Sequence, residues 1–121
     1  MNGIRERAVT LLCVLVAAGC ATTTPVIDTG SLHRIDCDEV VGRSSVSSDE
    51  RFRVNVVNRR DEVLDMYWID FEGAEEPKGS VAPGEIWSQV TYATHPWVAR
   101  DASGRCVAAY DSLSGALIEI R

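Results

Sequence analysis

An all-β fold, a small antiparallel sandwich or barrel, is what the residues from Arg51 onward predict. Three observations carry it. Apolar and polar residues alternate with a period of two in Phe52-Arg53-Val54-Asn55-Val56. Five or six short runs rich in apolar residues are separated by turn residues about every 8–12 positions. No segment carries a helical stripe of convincing length, and no internal repeat is visible.

The elements follow in order. Residues 32–41 hold Leu32, Ile35, Cys37, Val40 and Val41, enough for a short strand or a turn of helix leading into Cys37. Residues 42–50 are a polar loop. After the strand at 52–56, Asn58 to Glu62 reads as a polar turn, with Asn58 bonding its own backbone. Val63 to Phe71 is aromatic and β-branched, and apolar on both faces, so it is expected to be a central strand or one packed on both sides. Glu72 to Gly84 reads as a loop, with Gly73, Pro77, Gly79, Pro83 and Gly84, and with Glu72, Glu75 and Glu76 as solvated surface. Strands are expected at Glu85–Tyr92 and His95–Arg100, with Pro96 marking an edge or a strand start. A hairpin turn at Asp101–Gly104 leads to strands at Arg105–Tyr110 and Ala116–Ile120.

The chain has 121 residues, room for one domain, and an ordinary 45% of apolar and 25% of charged residues. Lys plus Arg is 12 against 18 Asp plus Glu, a net charge of -6. So acidic a chain is not expected to bind nucleic acid, whose phosphates need a basic face.

The N-terminus reads as an address. Arg5 and Arg7 precede an apolar run from Ala8 to Ala18, too short to span a bilayer but long enough for a signal peptide over residues 1–19. The run closes on Ala17-Ala18-Gly19-Cys20, which resembles the lipobox of bacterial lipoproteins, although Ala17 stands where Leu is commoner. That resemblance implies that Cys20 takes a diacylglycerol on its sulfur and becomes the first mature residue. Several acyl chains, palmitate among them, would then anchor the protein to a membrane. A plain signal peptide with an incidental Cys is the alternative. Ala21 after the Cys, by the same resemblance, favours the outer membrane, facing the periplasm, if the host is Gram-negative. Without Arg5, Arg7 and Glu6 the mature chain keeps 10 basic and 17 acidic residues, a charge of -7. Residues 20–31 follow as lipidated Cys and flexible tether, and residues 32–121 as the β domain.

With Cys13 in the removed segment and Cys20 as the lipid site, Cys37 and Cys106 remain in a chain bound for an oxidising compartment. A Cys37–Cys106 disulfide is expected, closing a loop of about 70 residues; two buried thiols are the alternative. Two Cys with His33 and His95 show no metal-ligand spacing, and no metal or other cofactor is expected.

From Asn55 to Gly104 the chain reads N-x-x-N-R, Y-W-I-D-F-E-G, A-P-G-E, T-Y-A-T-H-P-W and D-A-S-G. This pattern resembles the β domain of the von Hippel–Lindau tumour suppressor family, with Trp68, Phe71, Gly73, Pro77, Pro83, Gly84, Tyr92, His95 and Trp97 all matching. The resemblance implies a sandwich of about seven strands that holds a hydroxylated proline of an extended partner peptide. Trp68 and Trp97 fall on aromatic walls of that family's pocket. His95 falls on the histidine that bonds the hydroxyl, and Thr91 replaces a serine that does the same. Two positions depart: Lys78 replaces a tyrosine that contacts the proline, and Val90 replaces a histidine that contacts the peptide backbone. Lys78 is accordingly expected to favour an acidic residue beside the proline. The family's α domain, which recruits a ubiquitin ligase through elongin C, would follow the last strand. The chain stops at Arg121, so neither elongin C binding nor ligase function is expected.

The bland readings of the same residues are core packing for Trp68, Trp87 and Trp97, and a turn histidine bonding backbone for His95. No nucleophile–base–orienter set, phosphate loop or metal motif appears, so no enzyme is expected. The expected function is a membrane-anchored, non-catalytic protein- or peptide-binding module. The alternatives are a structural envelope lipoprotein or an inhibitor of secreted enzymes that uses these residues only as core.

Overall fold

A computed structural model describes residues 33–113 and 117–121. The expected signal peptide, the lipid site Cys20 and the tether lie outside the described residues. Among those described are eight strands: β1 (Arg34–Ile35), β2 (Arg51–Asn58), β3 (Leu64–Ile69), β4 (Glu75–Val81), β5 (Ile86–Tyr92), β6 (Trp97–Arg100), β7 (Cys106–Tyr110) and β8 (Ile118–Ile120). A 3₁₀ turn at Cys37–Val40 follows β1. The strands form two sheets, one ordered β1-β7-β6-β3-β4 and the other β5-β2-β8.

The sandwich core follows from strand alternation. Val54 and Val56 of β2, Leu64 and Met66 of β3, Trp97 and Ala99 of β6, Tyr110 of β7 and Ile118 and Ile120 of β8 bury one face of each sheet against the other. The residues between them behave differently in the two regions of β3. Asp65 and Tyr67 are half-buried on the outer face. Ile69 packs outward with Val98 and Ala109 against Val40 of the 3₁₀ turn. A Cys37–Cys106 disulfide, Cα to Cα 6.1 Å, fastens that turn to β7 and closes the expected loop. The two alternatives expected of residues 32–41 thus both occur, a short strand and a helical turn, the turn starting at Cys37 rather than leading into it.

β3 is interior, between β6 and β4, as its two apolar faces predict. Three expectations need correction. The stretch Glu72–Gly84 is no single loop, because β4 runs through it as an edge strand. Six of the seven β4 residues are exposed and only Val81 is buried, so the segment has none of the apolar alternation by which a strand is recognised. Pro77 is tolerated there because one side of an edge strand needs no donor. Second, the sandwich is not wholly antiparallel, since β8 lies parallel to β2 with Val56 opposite Ile118. Third, β6 begins at Trp97 and not at His95; Pro96 precedes an interior strand and marks its start rather than an edge.

Two polar knots fix the connections. Asn58, fully buried, donates from Nδ2 to the carbonyls of Glu62 (2.7 Å) and Val81 (2.8 Å) and accepts from the Arg60 N–H (2.9 Å). It bonds its own turn as expected, and also ties β2 to the end of β4. Asp101 accepts from the Ser103 hydroxyl and from the N–H groups of Ser103 and Arg105. The Ser103 hydroxyl leads these bonds in pulling the Asp101 carboxyl down to about 2.

Candidate functional site

The edge strands β4 and β5 of the two sheets approach one another. Beside them a cleft of about 170 Å³ is lined by Trp68, Lys78, Thr91, His95 and Trp97, together with Gln89, Val90 and Tyr92. All five residues expected to form a site are therefore in one place. They come from five parts of the chain: β3, β4, β5, the turn leading into β6, and β6 itself.

Trp97 and Trp68 are paired across β6 and β3 and share a face of the sheet. Trp97 is only 2% exposed and forms the floor, with its ring also in the core. Its indole N–H donates to Thr91 Oγ1 at 2.9 Å. The buried Thr91 hydroxyl accepts this bond and keeps its own proton to donate. Trp68 is the half-buried wall. Its Nε1–H donates to Ser45 Oγ at 2.8 Å, and the buried Ser45 hydroxyl donates in turn to the Ile69 carbonyl at 2.6 Å. That relay fixes the Trp68 ring from a loop 23 residues away in sequence.

The Lys78 position arises from a β-bulge. Met66 pairs with Gly79 and Tyr67 with Pro77, leaving Lys78 unpaired on the longer strand. Bulges re-aim side chains, and here the ammonium lies 5.2 Å from the Trp68 ring centroid. It also donates to Glu76 at 2.9 Å. Gly79 beside it is required by a close approach: a Cβ there would stand 2.5 Å from Trp87 Nε1. Trp87 packs edge-on against Trp97 and belongs to the core side, not to the cleft.

His95 stands among three aromatic rings, Tyr92 at 5.2 Å, Trp68 at 5.4 Å and Phe71 at 5.5 Å between centroids. Phe71 is held there by a tight turn in which Asp70 Oδ1 accepts the N–H groups of Glu72 and Ala74. Burial pushes the imidazole below its usual 6.5, favouring the neutral ring at pH 7. The His95 backbone N–H bonds the Tyr92 carbonyl, but among the described residues nothing hydrogen-bonds its ring nitrogens. A neutral imidazole so placed can donate from one nitrogen and accept at the other.

Glu72, Glu75 and Glu76 are exposed, as expected, and two of them also hold basic side chains. Glu75 holds Arg100 through both carboxylate oxygens, and Arg100 lowers its carboxyl below the usual range. Glu76 holds Lys78. Sequence reasoning did not single out Gln89, Tyr92, Phe71 or Ser45 as site residues. Tyr92 lies in the expected strand beside Thr91, a signal that points to it; Ser45 reaches Trp68 only through the fold and leaves none. Val90, noted only as a departure, lines the cleft with an apolar side chain.

A family model described as VHL beta domain matches residues 43–111, more than half of the chain. No curated protein matches the chain.

Proposed function

The chain belongs to the VHL beta domain family, and from that premise we propose that its sandwich is a binding module for an extended, proline-containing segment of a partner protein. The observation that carries the reading is the unpartnered His95 ring beside an aromatic cleft of about 170 Å³. A cavity of about 150 Å³ accepts one six-membered ring, so the volume suits a single proline ring. Trp68 supplies the wall for stacking and Trp97 the floor. Thr91 and His95 supply the polar groups, and His95 reads a hydroxyl on the ring if one is present. Near-complete burial of Trp97 and Thr91 is what a floor requires, and does not make the cleft a mere extension of the core, because Trp68, Lys78 and His95 remain accessible.

The module acts by binding and not by catalysis. The Ser88 hydroxyl donates to Asn55 at 2.5 Å, and among the described residues no hydrogen bond joins the Thr91 hydroxyl to the His95 ring, so neither is paired with His95 as a nucleophile with its base. The domain is held at the cell envelope through a diacylglycerol on Cys20, with residues 21–31 as the tether. Calorimetric titration of the full chain with proline peptides tests the binding, and Trp68→Ala should weaken it about tenfold. Equal binding by wild type and Trp68→Ala would exclude this cleft. Cys20→Ser should abolish lipid labelling and release the protein from membranes; a variant that stays membrane-bound would refute the anchor.

A further inference from the structure

Among the described residues, the basic side chains of this acidic chain are mostly spoken for. Arg59, Arg60, Lys78, Arg100, Arg105 and Arg121 each hold a carboxylate. Arg34 donates to the Val107 carbonyl. Arg43, Arg51 and Arg53 have no such partner among the described residues. In a chain of net charge -6 an arginine left without a carboxylate is unexpected.

Arg51 and Arg53 are two residues apart on β2 and so project from one face of the smaller sheet. The register sets Arg51 opposite Tyr92 and Arg53 opposite Val90 on β5. Directly opposed residues have Cβ atoms about 5 Å apart. Val90 and Tyr92 are two of the residues lining the proline cleft. A second cleft of about 330 Å³, lined by Arg51, Phe52, Arg53 and Val90, adjoins it at Val90 and has no acidic side chain in its lining. Val90 is common to both clefts and, being apolar, offers neither arginine a partner.

We infer that Arg51 and Arg53 read an acidic side chain flanking the proline of the bound segment. The inference rests on the proposed function and gives it a partner chemistry: an extended segment with a proline and a nearby carboxylate. Lys78, on the opposite wall, is less suited to that task because Glu76 already neutralises it at 2.9 Å. Arg43 is less suited as well. Its cleft, on the far side of the turn at Ala93–Pro96, also contains the Asp111 carboxylate, which opposes an incoming anion.

The test uses the full chain and pairs of extended proline peptides that differ only in carrying Glu or Gln, placed at successive positions on either side of the proline. One position should show about fivefold tighter binding for Glu, the scale of an exposed ion pair. Arg51→Gln combined with Arg53→Gln should remove that gain and leave the Gln peptide unaffected. Raising salt should erode the gain in the wild type. The Glu peptide should also shift the Arg51 and Arg53 Nε–H resonances, a readout that a change in stability does not mimic. Binding of both peptides without discrimination at any position would overturn the inference and leave the proline reading intact. So would a Glu gain that survives the double variant and falls with Arg43→Gln or Lys78→Gln. Failure of every proline peptide to bind would overturn both. Discrimination by the arginines between anionic and neutral vesicles, with none between peptides, would assign them to a membrane surface instead.

Discussion

Asn58 and His95 are both polar residues set among apolar neighbours, yet their surroundings treat them in opposite ways. Around Asn58 the side chain donates twice and accepts once, joining β2, the following turn and the end of β4. His95 has aromatic rings on three sides, and no group among the described residues bonds its ring nitrogens. A buried polar group whose bonds are all internal holds a fold together. One that is positioned, partly desolvated and left unbonded is available to a ligand. The difference separates the part of this molecule that maintains shape from the part left open to a ligand.

Breaking the shape-holding side should cost stability and spare the chemistry of the cleft. The largest effect is expected at the Cys37–Cys106 bridge, which joins residues 69 apart. Its removal should cost about 4 kcal/mol by the chain-entropy relation, a large share of the roughly 5–15 kcal/mol that holds a typical domain. Denaturant melts of oxidised and reduced protein measure it, and an unchanged midpoint would mean that the 3₁₀ turn needs no fastening. Asn58→Ala comes next. It removes three hydrogen bonds and takes a donor from the buried Val81 carbonyl, a loss of about 2–4 kcal/mol. Peptide affinity of the fraction that remains folded should be unchanged, and a fall in affinity larger than the unfolded fraction would contradict the separation.

Ser45→Ala sharpens the comparison because Ser45 belongs to both sides. It is buried and bonds the Ile69 carbonyl, and it also fixes the Trp68 wall. A stability loss of about 1–2 kcal/mol is expected, with a weaker peptide complex measured in the same protein. Ser45→Thr, which keeps the hydroxyl, should restore part of both. A loss of stability with no change in affinity would make Trp68 self-positioning.

Much of this division was legible in the residues. Alternation placed β2, and the apolar faces of β3 placed it inside its sheet, because both patterns are set by burial. Asn58 could be read as a turn residue bonding its own backbone, but its bond to Val81 spans 23 positions and is created by the fold. β4 was hidden for a physical reason: an exposed edge strand with Pro77 and Gly79 is held by backbone pairing to β3, which leaves no mark on side-chain polarity. The bulge that turns Lys78 toward Trp68 was hidden with it. In the cleft, Trp68, Lys78, Thr91, His95 and Trp97 were identified by resemblance, and the structure brings them together. The arginines without partners were not identifiable, since a missing ion pair is a property of the whole surface.

The measurement that bears most directly on the central claim is a titration of peptide pairs that differ only in the hydroxyl of their proline, against wild type and His95→Ala. His95→Ala should lower the thermal midpoint only modestly, because the ring loses its contacts with Tyr92, Trp68 and Phe71 but no hydrogen bond. Wild type should prefer the hydroxylated peptide by about 1 kcal/mol, the worth of one net hydrogen bond, and His95→Ala should lose the preference while still binding. The pH dependence has a defined sign. Burial lowers the His95 pKa below 6.5, so the unfolded chain takes up this proton first as pH falls. The contribution of neutral His95 to stability is complete above 6.5 and declines below it, until the folded ring also protonates. The bound hydroxyl should hold the ring neutral to lower pH still, which an NMR titration of the imidazole would follow. Peptides that bind wild type and His95→Ala alike, with the imidazole titrating the same in free and bound protein, would contradict the account.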